Sequence, residues 1–392
     1  MVTPLTPPLR PVERRVRTPG FACYSLAFSP FYPNKLVVAG AANFGLVGNG
    51  RLSVVAIQDG PLQGGPVPGL QPGGGGMGEG MTVEKGFDTQ DGLYDLAWSE
   101  LHENQIATGS GDGSVKLWDI MLNDFPIRKW HEHQREVFSV DWSNTMKELF
   151  CTSSWDGSIK IWTPERAASL QTIPAHGACV YSALFSPSQP SIIASCSSDG
   201  SLKIWDTRIP LPPSSSSAAA AGQPALANAQ LTIPAHVGSE ILDLDFNKYD
   251  PNLIATASVD RSVKVHDLRA AASSSSSVPP PGSAIPHVVP NATVATLLGH
   301  EYAVRRVAWS PYRRDLLATA SYDMTSRIWS VDPAAAAGSG GVSSFNARGG
   351  MGARIEGVWD RHKEFVVGVG WSLFEEGTVA SCSWDQEVHL WR

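Results

Sequence analysis

The sequence predicts an all-β protein assembled from one repeated unit, and three observations support this fold class. The stretch Gly299–Trp329 alternates apolar and polar residues in three runs separated by turns, which is typical of three short antiparallel strands. Similar stretches recur along the chain at nearly constant spacing. The composition is rich in turn formers, with 37 Gly and 29 Pro among 392 residues. One such unit cannot bury both faces of its sheet, so the copies are expected to pack against one another.

The spacing of four residue types identifies the repeat. In four copies a His precedes the closing Trp by 29 positions, and the turn Asp follows that His by 23. In a fifth copy these intervals are 30 and 24, and a second His stands in the Trp position. A Ser or Thr lies four positions before each Asp. The five sets are His133-Thr152-Asp156-Trp162, His176-Ser195-Asp199-Trp205, His236-Thr256-Asp260-His266, His300-Thr319-Asp323-Trp329 and His362-Ser381-Asp385-Trp391. This pattern predicts a WD-repeat β-propeller with one four-stranded blade per repeat.

We interpret each set as a hydrogen-bonded chain inside its blade, called the tetrad below. Buried polar atoms need partners, and the imidazole, hydroxyl, carboxylate and indole N–H groups can satisfy one another. His with Asp could also indicate a hydrolase triad, but a catalytic set occurs once and this set recurs along the chain. The sequence offers no other nucleophile–base pair, no phosphate-binding glycine loop and no metal-ligand cluster. We therefore expect no enzymatic activity, no metal and no cofactor.

The repeats number seven when the chain is followed in order. The first, over residues 18–57, is atypical, because Asn49-Gly50 replaces the Asp-containing turn and Val55 replaces the Trp. The second has Thr89 in the position of the entrance His. The second to seventh repeats close at Trp118, Trp162, Trp205, His266, Trp329 and Trp391. The fold class predicted is therefore an all-β, seven-bladed propeller.

The N-terminal segment is expected to close the ring. The seventh repeat ends at Arg392, one residue past its third strand, so its outer strand must come from elsewhere. Val12 to Arg17 is the segment placed to supply that strand, which would leave no open sheet edge at the seam. Residues 1–11 are proline-rich and are predicted to be a disordered tail, with residues 12–392 forming the propeller.

Four insertions interrupt the repeat spacing, near residues 59–80, 210–228, 270–290 and 333–352. Their Ser, Ala, Gly and Pro runs offer little apolar surface for a core, so we predict that they are disordered. Each falls between a third strand and an outer strand. In a propeller those connections lie on the end opposite the tetrad turns, here called the bottom face. The other end, called the top face, is expected to remain uncovered.

Composition and charge narrow the classes of partner. The five Cys residues are scattered, with no Cys-x-x-Cys pair, and are interpreted as reduced core residues. No apolar run is long enough to span a membrane, so direct membrane insertion is not expected. The formal net charge of −7 disfavours nucleic acid as the main partner.

The residues predicted to line the top face are the most informative about binding. They immediately precede the turn Asp or follow the entrance His, and the candidates are Asp91, Glu136, Trp155, Glu240, Tyr322, Phe365 and Trp384. Exposed aromatics within a rim of carboxylates suit a basic, amphipathic peptide or helix. The alternative interpretation is that the two Trp side chains pack sideways on neighbouring blades and the acids are ordinary solvated charges.

Several segments resemble one WD-repeat family beyond the generic repeat. They are residues 18–20, 28–30, 43–50, 91–99, 136–143, 233–236, 240–242, 298–300, 305–307 and 382–385. These segments are similar to those of WD-repeat receptors for the type-2 peroxisomal targeting signal, the peroxin 7 family. The similarity covers all seven repeats and lapses in the four insertions.

The resemblance implies a receptor that shuttles between the cytoplasm and the peroxisome matrix. Such receptors bind an N-terminal helical nonapeptide in cargo enzymes: Arg, an aliphatic residue, five variable residues, His or Gln, then Leu or Ala. The family also implies a co-receptor peroxin and a peroxisomal docking complex as partners. The competing hypothesis is a general WD-repeat scaffold, or a substrate adaptor of a ubiquitin ligase or chromatin complex. Capture of cargo enzymes, rather than of ligase or histone subunits, would separate the two.

Overall fold

The computed structural model describes residues 13–45, 48–58, 80–122, 125–209, 229–269, 288, 292–331 and 350–392. The predicted tail, residues 1–11, lies outside the described residues, as do most residues of the four insertions. The described chain forms seven antiparallel sheets, one per repeat. The prediction of an all-β, seven-bladed propeller is confirmed.

The first four blades each take four consecutive strands. Blade 1 contains β2 (Ala22–Phe28), β3 (Lys35–Ala41), β4 (Gly50–Ile57) and β5 (Met81–Thr89), with a short turn segment at Ala42–Gly45. Blade 2 contains β6 (Leu93–Trp98), β7 (Gln105–Ser110), β8 (Ser114–Asp119) and β9 (Arg128–His131). Blade 3 contains β10 (Val137–Trp142), β11 (Phe150–Ser154), β12 (Ser158–Trp162) and β13 (Gln171–Pro174). Blade 4 contains β14 (Val180–Phe185), β15 (Ile192–Ser197), β16 (Leu202–Asp206) and β17 (Leu231–Ile233).

The last three blades follow the same plan with two additions. Blade 5 contains β18 (Ile241–Phe246), β19 (Leu253–Ser258), β20 (Val263–Asp267) and β21 (Thr293–Leu297), and the short strand β25 (Gly350–Met351) pairs with β21. Blade 6 contains β22 (Val304–Trp309), β23 (Leu316–Ser321), β24 (Ser326–Val331) and β26 (Ala353–Trp359). Blade 7 contains β27 (Val366–Trp371), β28 (Val379–Ser383), β29 (Glu387–Trp391) and, as its outer strand, β1 (Arg14–Arg17).

The N-terminal strand closes the ring, as predicted. Strand β1 pairs antiparallel with β29, from Arg14 opposite Leu390 to Arg17 opposite Glu387. Val16 is fully buried in the core between blades 7 and 1. Beyond the strand, the Thr18 amide donates to the Gln386 carbonyl over 2.8 Å. The pairing therefore covers the edge that β29 would otherwise expose.

The structure refines the predicted insertion boundaries at three points. Gly80 bridges to Arg15 of the closing strand, and Val288 bridges to Thr232 of blade 4. Residues 350–351 form β25 on the edge of blade 5. Low-complexity composition gave no sign of these pairings, because a two-residue strand or an isolated bridge leaves no periodic pattern.

The tetrads form as predicted in the five blades that carry the complete set. In blade 3, Trp162 Nε1 donates to Thr152 Oγ1 over 2.8 Å, and Thr152 Oγ1 lies 2.8 Å from His133 Nε2. His133 Nδ1 lies 2.8 Å from Asp156 Oδ2. One directional chain satisfies every group if the neutral imidazole carries its proton on Nδ1: indole to hydroxyl, hydroxyl to Nε2, Nδ1 to carboxylate. Each bond contributes about 0.5–1.5 kcal/mol net.

Blade 1 lacks the set, and blades 5 and 2 each carry a variation of it. In blade 5, His266 replaces the Trp, and its Nε2 lies 2.9 Å from Thr256 Oγ1, as the indole nitrogen does elsewhere. In blade 2 the entrance residue is Thr89, and Trp118 still donates to Thr108 Oγ1 over 2.9 Å. The repetition of these contacts supports a structural role for the His and Asp residues.

Candidate functional site

The two predicted sets of top-face residues adjoin each other in the structure. The amide of the residue before each turn Asp donates to a carbonyl in the loop that enters the same blade. Trp155 donates to Glu136 over 3.0 Å, Trp384 to Phe365 over 3.0 Å, and Val259 to Glu240 over 3.1 Å. The turn and the entrance loop are thereby fixed side by side in each blade. Aromatic and acidic candidates from separate parts of the sequence consequently share one surface.

A continuous arc of aromatic side chains runs across the top face, here called the aromatic belt. Neighbouring rings have centroids 4.6–6.4 Å apart, and the members are Tyr24, Phe44, Tyr94, Phe138, Trp155, Tyr181, Tyr322, Phe365 and Trp384. It begins at Tyr322 of blade 6, continues through blades 7, 1, 2 and 3, and ends at Tyr181 of blade 4. Tyr24 and Tyr94 within the arc are buried, and the other seven rings are half-buried or exposed. The arc therefore offers an elongated and partly exposed apolar surface across six blades.

Three of the four predicted aromatics contact one another, and the fourth is connected to them through other rings of the belt. Tyr322, Phe365 and Trp384 contact one another, with ring centroids 4.9, 5.3 and 6.4 Å apart. Trp155 lies farther along the belt, stacked on Phe138 at 4.6 Å and 4°. All four predicted aromatics are half-buried. The two Trp side chains pack against neighbouring blades, as the alternative interpretation expected, and still present part of their surface to the top face.

Sequence reasoning missed the belt residues that come from the inner strands. The inner strand of each blade has a register shift near its start, and in blades 1 to 4 the residue at that shift is a member of the belt. In chain order the residues at the shift are Tyr24, Tyr94, Phe138, Tyr181, Leu242, Arg305 and Val367. In most repeats this position is five residues after the entrance His or Thr89. That spacing was a usable signal, but alternation alone assigns such residues to the strand interior.

Phe44 reaches the belt from the irregular turn of blade 1. Asn43 and Phe44 have left-handed backbone conformations, with φ of 49° and 55°, which side-chain-bearing residues seldom adopt. Two belt hydroxyls hold the turn: Tyr24 donates to the Phe44 carbonyl over 2.6 Å and Tyr94 to the Gly45 carbonyl over 2.9 Å. The Phe44 ring remains 48% exposed. This turn therefore adds an exposed aromatic where the other blades have their Asp turn.

The three predicted carboxylates flank the belt at two places. Asp91 and Glu136 both act on Tyr94, whose pKa is raised first by burial and then by these two charges. Glu240 accepts a hydrogen bond from the Tyr181 hydroxyl over 2.9 Å. Burial, followed by this contact, raises the pKa of Tyr181. Negative charge thus lies beside the Tyr94 section of the belt and at its blade 4 end.

Exposed apolar residues extend the top face over blades 5 and 6. Val237 is 87% exposed and Tyr302 is 62% exposed, and both follow an entrance His. Val259 and Met324 flank the turn Asp of their blades and are also exposed. These residues were not among the sequence-predicted site. A surface of this kind next to an aromatic arc is typical of a protein–protein contact.

The described part of the chain contains no group of three or more His, Cys, Asp or Glu side chains that could hold a metal ion. Its cysteines are free thiols; Cys23, Cys151, Cys196 and Cys382 are buried and Cys179 is half-buried. Burial raises the pKa of Cys151 and Cys196. Among described residues, no helix is long and apolar enough to cross a membrane.

Seven four-stranded blades with repeated tetrads place the chain in the class of WD-repeat β-propellers. The family described as WD domain, G-beta repeat matches residues 82–119, 125–163, 167–206, 228–267 and 291–330. Full-length relatives narrow this class further. The chain is 34% identical to the peroxisomal targeting signal 2 receptor of Saccharomyces cerevisiae, 38% to that of Komagataella phaffii and 34% to that of Mus musculus. These alignments cover 96% of the chain, and 98%, 98% and 96% of the respective relatives.

The chain therefore belongs to the peroxisomal targeting signal 2 receptor family. The resemblance inferred from the sequence segments is confirmed. The relatives are named as receptors rather than as enzymes, which agrees with the structural role of the repeated His and Asp residues.

Proposed function

We propose that this protein binds the N-terminal type-2 peroxisomal targeting signal of cargo proteins on its top face. Together with a co-receptor it delivers them for import into the peroxisome. The observation that carries this proposal is the aromatic belt with carboxylates along one section and at one end. Membership of the receptor family supports it, because the relatives carry the name of this signal.

The geometry of the expected signal suits such a surface. In a helix, residues seven apart lie nearly two turns apart and therefore on the same face. The Arg and the His or Gln of the nonapeptide form one such pair, and the aliphatic residue and the final Leu or Ala form another. The two members of each pair are about 10 Å apart along the helix axis. An elongated apolar arc with adjacent negative charge can contact both pairs at once.

We assign the contacts by chemistry. Trp155, Tyr322, Phe365 and Trp384 contact the apolar stripe of the peptide helix, since large aromatic surfaces supply most of the energy in such interfaces. The basic residues of the peptide lie near the carboxylates Asp91, Glu136 and Glu240. These charges act chiefly on association rate and on orientation, because they remain partly exposed to solvent.

The proposed role includes further protein partners and shuttling of the receptor between two compartments. The receptor takes up cargo in the cytoplasm, engages the co-receptor peroxin and the docking complex of the peroxisome, and shuttles between the cytoplasm and the peroxisome matrix. The exposed apolar residues over blades 5 and 6 support a second protein contact beside the peptide. Neither nucleic acid nor membrane insertion belongs to this cycle.

The test is direct binding of a fluorescent type-2 signal peptide to the purified full chain, followed by fluorescence anisotropy. We expect saturable binding that is strengthened by cell extract containing the co-receptor. The control is a peptide of the same composition in which the Arg and final Leu positions are exchanged with variable residues. Equal binding of both peptides, with and without extract, would exclude the proposed function.

A further inference from the structure

The bottom face carries an apolar surface that the proposed function does not use, here called the bottom patch. It lies on blade 2 and the adjoining edge of blade 1. Its members are large apolar side chains, each more than one third exposed: Phe31, Leu101, Met121, Leu122, Phe125 and Ile127. Phe125 and Met121 are the two most exposed of the six, at 78% and 70%. An exposed group of this kind is typical of an interaction surface.

Hydrogen bonds join the three loops that carry the bottom patch. Phe31 precedes Tyr32 in the loop between β2 and β3, and the Tyr32 hydroxyl donates to Asn104 Oδ1 over 3.4 Å. Asn104 belongs to the loop between β6 and β7, which also contains Leu101. The Ile120 amide donates to the Asn104 carbonyl over 2.9 Å, and the loop that follows Ile120 carries the other four members. The six side chains therefore belong to adjoining loops.

The loop between β8 and β9 is held in place without any partner. Lys85 of blade 1 donates from its Nζ to the carbonyls of Ile120 and Leu122 over 2.8 and 2.5 Å. The Met121 amide donates to Asp119 Oδ1 over 2.9 Å. A loop that is fixed in this way loses little conformational entropy on association, so its apolar side chains can contribute most of their contact energy.

Charges of both signs border the bottom patch. Glu103 lies in the same loop as Leu101, and Arg128 follows Ile127 at the start of β9. Both charged side chains are exposed, and neither has an ion pair among the described residues. A border of one sign would favour a partner of the opposite sign. This border instead suits a partner surface that presents the two signs in the reverse order.

We propose that the bottom patch is the contact between two copies of this chain, related by a two-fold axis. In such a contact each surface meets its own copy, so the apolar loops pack together, and Glu103 of either copy faces Arg128 of the other. Blade 2 itself carries none of the four insertions. The two top faces point away from each other, and the dimer therefore presents two separate top-face surfaces at its opposite ends.

The first test is the mass of the purified full chain, measured by sedimentation equilibrium over a wide range of protein concentration. We expect a monomer–dimer equilibrium. Phe125→Ser and Met121→Ser should each raise the dissociation constant about tenfold or more, because each change removes an apolar contact twice in the dimer. The matched control is Phe374→Ser, which changes an exposed Phe of blade 7 and should leave the equilibrium unchanged.

The second test exchanges the two bordering charges. Glu103→Arg and Arg128→Glu each place like charges opposite one another, so each should weaken the dimer, and more strongly at low salt. Both changes in one chain restore opposite charges across the axis and should recover most of the affinity. Melting curves establish that each variant is folded. A double variant that stays as weak as the single ones would exclude the two-fold arrangement.

Three results of the first test would overturn the proposal. One is a chain that remains monomeric at the highest concentration. Another is a dimer whose dissociation constant is unaffected by Phe125→Ser and Met121→Ser. The third is a chain that dimerises only after residues 60–78 are replaced by a short Gly-Ser turn, because that insertion, and not a second copy, would then be the occupant of the bottom patch.

Discussion

At the scale of single residues, the top-face tryptophans combine two roles. The amide of Trp155 ties its turn to the entrance loop at Glu136, and its ring stacks on Phe138 and meets Tyr181 edge-on. The guanidinium of Arg135 lies 5.5 Å from the ring centroid of Trp155. The ring is therefore held rigidly before any ligand arrives, and little side-chain entropy is lost when a peptide covers it.

Truncation of this ring gives the first prediction. Trp155→Ala should weaken peptide binding by about 2 kcal/mol or more at any salt concentration, because it removes a rigid apolar contact. Affinity is measured by anisotropy at low and high salt. Ser198→Ala changes the equivalent turn residue of blade 4 and should bind normally. Unchanged affinity in a Trp155→Ala protein that melts like the wild type would remove Trp155 from the site.

The carboxylate at Glu240 gives the second prediction. Glu240→Lys should slow association with the basic peptide at low salt, with a smaller effect above about 0.1 M, where exposed charges are screened within about 10 Å. Stopped-flow mixing measures this rate. Because Glu240 also accepts the Tyr181 hydroxyl, Glu240→Gln is the matched control, which removes the charge and keeps an acceptor. If Lys and Gln both leave the association rate unchanged, the basic end of the peptide does not lie near blade 5.

At the scale of elements, the closing strand decides whether the ring is continuous. Strand β1 contributes four paired residues, the buried Val16 side chain and an ion pair of 3.2 Å between Arg17 Nε and Glu387 Oε1. That ion pair is largely exposed on the Arg17 side and adds little. Backbone pairing and apolar burial therefore dominate the contribution of this strand.

Removal of the closing strand gives the third prediction. Deleting residues 1–18 should expose the backbone edge of β29 and the core between blades 7 and 1, so unfolding should lose its cooperativity or the protein should aggregate. Calorimetry and light scattering report the two effects. Deleting only residues 1–11 is the control and should leave melting unchanged. A protein lacking residues 1–18 that melts like the full chain would show that β1 is dispensable.

Replacement of two insertions gives the fourth prediction. Short Gly-Ser turns in place of residues 210–228 and 271–287 should leave melting and peptide affinity nearly unchanged, because the connections begin at the bottom face and long surface loops add little closure entropy. Val288 is retained, since it bridges to Thr232. A marked loss of peptide affinity in a normally folded variant would place these segments in the binding site.

At the scale of the whole molecule, the sequence was sufficient to predict the ring of seven blades but not to predict the aromatic belt. The tetrad spacing repeats because each blade that carries the set must satisfy the same buried polar groups with hydrogen bonds. His133 and Asp156 could therefore be assigned to a tetrad from the sequence alone. The register shift of the inner strand recurs in every blade, but the residue at the shift differs: blades 1 to 4 have an aromatic such as Phe138 there, whereas blades 5 and 7 have Leu242 and Val367. Arg305 occupies the same position in blade 6, and only the three-dimensional structure shows that its guanidinium lies 5.9 Å from the Phe138 ring centroid of blade 3 and acts electrostatically on the Tyr24 and Tyr181 hydroxyls.

The last prediction concerns the stability of the whole ring against acid. Burial lowers the pKa of His266 to about 3, and burial also lowers the pKa of His176, His300 and His389. Below about pH 6.5 the unfolded chain therefore takes up protons that the folded chain excludes. As a result, the free energy of unfolding decreases as the pH decreases. Asp141, whose pKa burial raises to about 7, acts in the opposite direction. The net slope mixes these effects, so the contribution of one His must be isolated by exchange.

Exchange of His266 for the Trp found at this position in other tetrads isolates that contribution. His266→Trp removes one proton that only the unfolded chain binds, so its free energy of unfolding should rise relative to wild type by up to about 1.4 kcal/mol per pH unit below pH 6.5. Urea titrations at pH 7, 6 and 5 measure this gap, and its pH dependence is independent of any packing offset at pH 7. Trp205→His, the reciprocal exchange in blade 4, should open a gap of the opposite sign as the pH falls. A gap that stays constant in both variants would show that these buried imidazoles take up protons equally in the folded and unfolded states.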